Sequence, residues 1–184
     1  MTRVIAGARK GFKLATYHSP FVRPTTDRTK QVIFNVLNSA VSGSLVLDIF
    51  SGTGGLGIEA LSRGASRAIF IESHFKVCEI LLQNLQKTGF SEQSEILNMN
   101  ARPALLLLAE RGLRFDVIVA DPPYEGSYAE ETLADVASHS LLAVNGWLAL
   151  EHSSRIAPPD FCGAVLLKTR KQHGDSAISF YQHG

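Results

Sequence analysis

The sequence predicts an α/β domain built on a mainly parallel β-sheet with helices on both faces. Three observations lead there. Short apolar runs alternate with segments of helical spacing along most of the chain. Glycines (Gly64, Gly89, Gly112) follow the predicted helices, where a left-handed residue ends them. The chain has 184 residues, 45% of them hydrophobic and 19% charged, a balance that suits one well-filled core. Strands that alternate with helices of this length form βαβ crossovers, and hence parallel pairs.

The elements follow in order. Residues 2–6 and 12–17 read as a β-hairpin around Gly7-Ala8-Arg9-Lys10-Gly11. Pro24 disfavours helix at Arg23, and Thr25, Thr26 or Asp27 can cap the helix that Val32, Ile33, Val36, Leu37 and Ala40 mark by their spacing. Ser42-Gly43-Ser44 ends it. Strands are expected at 45–50, 68–72, 94–99 and 115–120, each followed by a helix: 56–63, 75–87, 103–111 and 128–142. Further strands fall at 147–151, 164–168 and 177–181. The last two have only a short link containing Gly174 between them, which fits a hairpin and an antiparallel edge. No repeat, low-complexity tract or linker interrupts the chain. Residues 1–30 read as a basic extension and 31–184 as the main domain, within one compact unit.

No apolar run approaches the ~18 residues of a membrane span, and no apolar signal core follows the basic N-terminus. The expected location is therefore the cytoplasm, where the two cysteines, Cys78 and Cys162, stay reduced. His74 and Cys78 have a spacing that metals use, but no third ligand lies nearby in sequence, so no metal is expected. Trp147 and the run 104–109 read as core, and Tyr181 either lines the site or packs. The net charge of +1 conceals an asymmetry: the first thirty residues hold seven Lys/Arg (Arg3, Arg9, Lys10, Lys13, Arg23, Arg28, Lys30) against one acid, Asp27. Such an arm is either a solvated segment or the footprint of a polyanionic partner.

The strand Leu45-Val46-Leu47-Asp48-Ile49-Phe50 runs into Ser51-Gly52-Thr53-Gly54-Gly55-Leu56-Gly57, which opens a helix. Glycines at this junction let the backbone approach a ligand closely, and the helix start supplies free N–H groups. Gly52-x-Gly54-x-x-Gly57 also fits a dinucleotide site. Asp48 argues against a pyrophosphate: a carboxylate facing the mouth of the loop would repel it and favour a cation such as S-adenosylmethionine. Glu72, at the end of the second of these strands, can accept two ribose hydroxyls, and Asn100-Ala101 after the third can read an adenine edge.

The fourth strand ends in Asp121-Pro122-Pro123-Tyr124. Ligands bind at the carboxyl ends of strands in open α/β sheets, so this tetrapeptide lies beside the glycine loop. The Asp121 carboxylate and the Pro122 carbonyl offer two acceptors, Pro123 stiffens the turn, and Tyr124 offers a flat face. That set suits an exocyclic amine of a nucleobase, whose lone pair is delocalised and must be coaxed toward a methyl donor by alignment and electrostatics.

These residues together resemble the class I S-adenosylmethionine-dependent methyltransferases, and within them the bacterial RsmD-type enzymes that methylate guanine N2 in 16S ribosomal RNA. The resemblance is carried by Arg3-Val4-Ile5-Ala6-Gly7, Arg23-Pro24-Thr25-Thr26-Asp27-Arg28, 48–54, Glu59-Ala60-Leu61-Ser62-Arg63-Gly64, Asp121-Pro122-Pro123-Tyr124 and Gly174-Asp175-Ser176. It implies a Rossmann-like seven-stranded methyltransferase sheet of order 3-2-1-4-5-7-6 with its last strand antiparallel, preceded by a small hairpin. It implies cofactor contacts from Asp48, Ser51, Gly52, Thr53, Gly54, Gly57, Glu72, Asn100 and Ala101, and base contacts from 121–124. It implies RNA contacts from Arg3, Arg9, Lys10, Arg23, Thr25, Arg28 and Lys30, on 16S rRNA within a 30S particle or assembly intermediate, by a monomer. Two other readings share these residues: a DNA adenine-N6 or cytosine-N4 methyltransferase, and a non-catalytic RNA-binding assembly factor.

Overall fold

The structure, a computed structural model, describes residues 2–17, 26–123 and 126–184. A two-stranded ribbon, β1 (Thr2–Arg3) and β2 (Lys13–Leu14), precedes helix α1 (Asp27–Leu37). The main domain then runs β3 (Leu45–Ile49), α2 (Gly55–Ser62), β4 (Arg67–Ile71), α3 (Phe75–Thr88), β5 (Ser94–Leu97), α4 (Ala101–Glu110), β6 (Phe115–Ala120), α5 (Tyr128–Ser138), β7 (Leu142–Ser153), β8 (Phe161–Cys162), β9 (Val165–His173) and β10 (Ser176–His183). The sheet order is β5-β4-β3-β6-β7-β10-β9-β8. Strands β3 to β7 are parallel, and β10 runs antiparallel to both neighbours. Without β8 this is the expected 3-2-1-4-5-7-6 order.

Alternation along the strands builds two cores. Val46, Phe70, Val117, Ala149 and Phe180 face α1, α2 and α3, against Ile33, Phe34, Leu56, Leu81 and Leu85. Leu47, Ile69, Ile118, Leu148 and Tyr181 face the other way, against Leu105, Leu108, Leu133 and Val136 of α4 and α5. Both faces of the central sheet are thus covered, which is why β3, β4 and β6 are mostly apolar on both sides, while the outer strand β9 carries Lys168, Arg170 and Lys171.

Several boundaries differ from expectation. The ribbon strands are two residues each, because a 3-10 turn at Gly7–Arg9 takes up the centre of the loop. Thr26 caps α1 by accepting from the Thr29 N–H, and the helix stops at Leu37, where Asn38 turns to φ 35°. Helix α5 ends at Ser138, and β7 starts at Leu142. The sheet has eight strands, since Phe161–Cys162 pairs with Leu166 and Val165. The run 104–109 is core on one face only, with Leu106 exposed.

The N-terminal ribbon is fastened to the main domain by buried polar groups. Glu59, fully buried in α2, accepts from the backbone N–H groups of Ile5 (2.7 Å) and Ala6 (3.0 Å) and from Nε of Arg63 (2.8 Å). Ser62 Oγ donates to the Ala6 carbonyl and accepts from the Arg9 N–H. Gly7 lies so close to α2 that a Cβ would fall 1.8 Å from the Ser62 carbonyl oxygen. Lys30 is fully buried: its Nζ donates to the Arg3 carbonyl and lies 3.8 Å from Asp27. Burial lowers its pKa, against the raising effect of Glu59 and Asp27. This corrects the assignment of Lys30 to RNA, since the side chain presents no surface to a phosphate. Glu59→Ala strands two backbone donors and removes an anion near Lys30. The variant should lose about 3 kcal/mol in urea unfolding, with the midpoint shifted and the slope unchanged.

Candidate functional site

Sheet register brings the predicted residues to one edge. Leu97, Ile71, Ile49, Ala120 and Leu150 form a row across β5, β4, β3, β6 and β7. One step beyond the row lie Asn98, Glu72, Phe50, Asp121 and Glu151. At about 5 Å per strand, Glu72 and Asp121 stand about 10 Å apart with the glycine loop between them.

The loop is braced from beneath. Asp48 is 1% exposed, and its Oδ2 accepts from the Gly57 N–H at 2.7 Å. A Cβ on Gly57 would sit 2.2 Å from the Phe70 ring, so only glycine lets the helix start this close to the strands. The chain makes its turn through left-handed residues: Phe50 at φ 61°, Gly52 at 53° and Gly54 at 88°. For Phe50 that conformation costs on the order of 1 kcal/mol; its ring packs edge-on against Tyr128. Ser51 bonds the Ile71 carbonyl through both its N–H and its Oγ.

Asp48 therefore does not face the mouth of the loop, as an entrance anion would. Burial pushes its pKa up to about 7, the Gly57 N–H opposes the rise, and the Glu72 charge adds to it. Its work is to hold the start of α2.

Glu72 is the carboxylate at the rim. Its Oε2 accepts from the Gly52 N–H (3.0 Å) and its Oε1 from the His74 N–H (2.7 Å), which fixes the group and leaves each oxygen a second lone pair. Asn98, which sequence reasoning missed, ties this corner together by donating to the carbonyls of Glu72 and Ser73. Asn100 is exposed at the start of α4, and its side chain makes no cap bond, so the amide faces outward beside Ala101. Cys78 Sγ donates to the Glu72 carbonyl; burial, and after it the Glu72 charge, push the thiol up to about 11.

Asn84 was also missed. Buried in α3, its amide donates to the Thr53 carbonyl (2.9 Å) and to the Ala15 carbonyl (3.0 Å), while Oδ1 accepts from the Ala15 N–H (2.8 Å). One side chain thus joins the glycine loop to the N-terminal extension. A polar residue at a core position of an amphipathic helix is the signal that could have found it.

Asp121 is half-buried, Pro122 buried and Pro123 exposed. Tyr124 lies outside the described residues, as do Arg23 and Thr25. A cleft opens beside the two prolines, with Ser153, Ile156 and Pro158 on its other side. Glu151, 5% exposed, lies next to Asp121 in register. Tyr181 is fully buried, and its hydroxyl donates to the Pro159 carbonyl, so it packs behind the site.

The remaining basic residues divide by position. Arg28 is exposed at the start of α1, and Arg3 pairs with Asp27 at 2.8 Å. Arg9 is used structurally: its Nε donates to the Thr88 carbonyl, and its guanidinium lies over Phe12 and Phe90. Thr88 ends α3, about 20 Å of helix from Phe75 at the site edge. Arg9, with Lys10 next to it in the turn, is therefore placed toward the opposite edge of the sheet from Asp121.

Comparison with known proteins gives a consistent picture. The family described as "Conserved hypothetical protein 95" matches residues 2–182. "Ribosomal RNA small subunit methyltransferase D" of Escherichia coli is 39% identical over 149 residues, 81% of this chain and 70% of that protein. YlbH of Bacillus subtilis is 32% identical over 180 residues, 98% of each chain. The solved structure of yhhF from Escherichia coli superposes with a TM-score of 0.87 at 29% identity, covering 99% of this chain and 97% of that one.

The raised pKa of Asp48 has a thermodynamic consequence. The folded protein holds this proton up to about pH 7, whereas the unfolded chain releases it near 4. Asp48 should therefore favour folding fully below pH 4, with that contribution lost as pH rises to about 7. Asp48→Asn keeps an acceptor for Gly57 without a proton to lose. Thermal melts should show a smaller stability difference between pH 4.5 and pH 8 in this variant than in the parent.

Proposed function

The chain belongs to the conserved hypothetical protein 95 family, the RsmD-type methyltransferases, and we propose that it transfers a methyl group from S-adenosylmethionine to the exocyclic N2 amine of a guanine in 16S ribosomal RNA. The observation that carries this is the shared edge: a rim carboxylate and an Asp-Pro-Pro turn stand two strands apart with the glycine loop on the strand between them. The relative named as a small-subunit rRNA methyltransferase supports the substrate.

The residues present fit the cofactor. The left-handed turn at Gly52 and Gly54 opens the backbone to it, Glu72 has lone pairs for two ribose hydroxyls, and the outward amide of Asn100 suits an adenine edge. S-adenosylmethionine supplies a methyl group on a cationic sulfur, an electrophile that needs no metal. The chain's own task is to present the nucleophile. Asp121 and the Pro122 carbonyl accept the two amine hydrogens, which orients the nitrogen and stabilises positive charge as it develops. Tyr124 stacks on the base, which must first leave its helix. Arg3, Arg23 and Arg28, with Thr25, take phosphates and position the RNA without reading sequence. The substrate is the 30S particle or its precursor, acted on by a monomer in the cytoplasm.

Labelled methyl transfer to total RNA, 30S particles and DNA from cells lacking the gene tests the proposal. N2-methylguanosine in nucleosides digested from small-subunit rRNA is expected. Label in DNA as N6-methyladenine or N4-methylcytosine, or no label at all, would contradict it. In the same assay system, Arg23→Ala with Arg28→Ala should reduce the salt slope of RNA binding by about 2 and leave cofactor affinity intact.

A further inference from the structure

The segment 153–158, which forms the far wall of the cleft beside Pro122 and Pro123, is held from behind by a chain of polar groups the proposed reaction does not use. Arg170, on β9, donates from Nε to Ser179 Oγ (2.8 Å) and from Nη2 to the Pro158 carbonyl (3.1 Å). Ser179, fully buried on β10, lies 2.8 Å from His152 Nε2. His152 Nδ1 lies 2.8 Å from the Ser153 carbonyl. The proton positions follow from the partners. A guanidinium only donates, so Ser179 Oγ accepts from it and is left to donate its own hydrogen to His152 Nε2. Nδ1 then carries the imidazole proton and donates it to Ser153. Burial and the Arg170 charge lower the histidine's pKa, and the Ser153 bond opposes them. The result is one directed path, Arg170 to Ser179 to His152 to Ser153, that grips the segment at both ends, Ser153 and Pro158. Tyr181 adds a bond to the next carbonyl, Pro159.

The outer side of this wall is unlike its support. Ile156 is 70% exposed beside the prolines of the amine-binding turn. An apolar side chain held rigidly across a cleft from two prolines is suited to the face of a flat heterocycle. We infer that segment 153–158 is the second wall of the pocket that receives the target guanine, with Ile156 touching the base and Arg170 acting as the positioning residue that fixes the wall. The inference rests on the RNA methyltransferase reading and adds to it the side of the pocket opposite Asp121.

Steady-state kinetics of the full chain test it, with unmodified small-subunit rRNA or 30S particles as substrate and melting temperature as a check on folding. Arg170→Met should raise KM for RNA by about fivefold or more, with KM for S-adenosylmethionine unchanged. Arg170→Lys, which cannot span Ser179 and Pro158 together, should recover only part of this. Ile156→Ala, at an exposed position, should melt like the parent and also raise KM for RNA several-fold. Either substitution leaving KM for RNA within about twofold of the parent overturns its half of the inference. A parent chain that methylates no RNA overturns the underlying reading instead, and the inference with it.

Discussion

The site depends on a single buried hydrogen bond, from the Gly57 N–H to the Asp48 carboxylate. A helix starting under a sheet edge has N–H groups without intrahelical partners. Here one of them is satisfied from inside the sheet, by a side chain on the central strand. That anchors the first turn of α2, and the chain reaches it through three left-handed residues, Phe50, Gly52 and Gly54. The same turn delivers the Gly52 N–H to Glu72 and the Thr53 carbonyl to Asn84. The glycine loop is thus shaped by bonds to Asp48, Glu72 and Asn84, three side chains from three different elements.

The N-terminal extension is part of that framework. Glu59 bonds it to the middle of α2, Ser62 to the end of α2, and Asn84 to the glycine loop. Its basic residues divide: Lys30 is buried, Arg9 is used in bonds to α3, and Arg28 is exposed at the start of α1. Asn84 contacts both the extension and the glycine loop and so ties the proposed RNA-contacting segment to the proposed cofactor loop.

Local sequence was enough for the main strands and for the glycine and Asp-Pro-Pro turns that follow two of them, because each is written in short-range signals: apolar runs, glycines with positive φ, and prolines after a strand; the order of the sheet came from the family resemblance. Long-range packing decided the rest. Asp48 has the composition of an entrance anion, and only burial shows it turned inward. Lys30 looked like one more cation in a basic run, yet it precedes Ile33, Phe34 and Leu37 by three, four and seven residues, the spacing of the buried face of α1. Asn98 and the Arg170 chain bind groups distant in sequence, so no local motif announces them, whereas Asn84 is marked only by its polar side chain at a core position of α3. Strand β8 has two residues and pairs only because β9 is already in place.

In the proposed function the cofactor corner and the amine-binding turn are separable parts of one edge. Measuring S-adenosylmethionine affinity and methyl transfer in Asp121→Ala and Glu72→Ala tests that separation. Asp121→Ala should bind the cofactor as tightly as the parent and transfer almost no methyl, while Glu72→Ala should lose cofactor affinity by about tenfold or more. Retained turnover in Asp121→Ala, or unchanged affinity in Glu72→Ala, would contradict the assignment of the two ends.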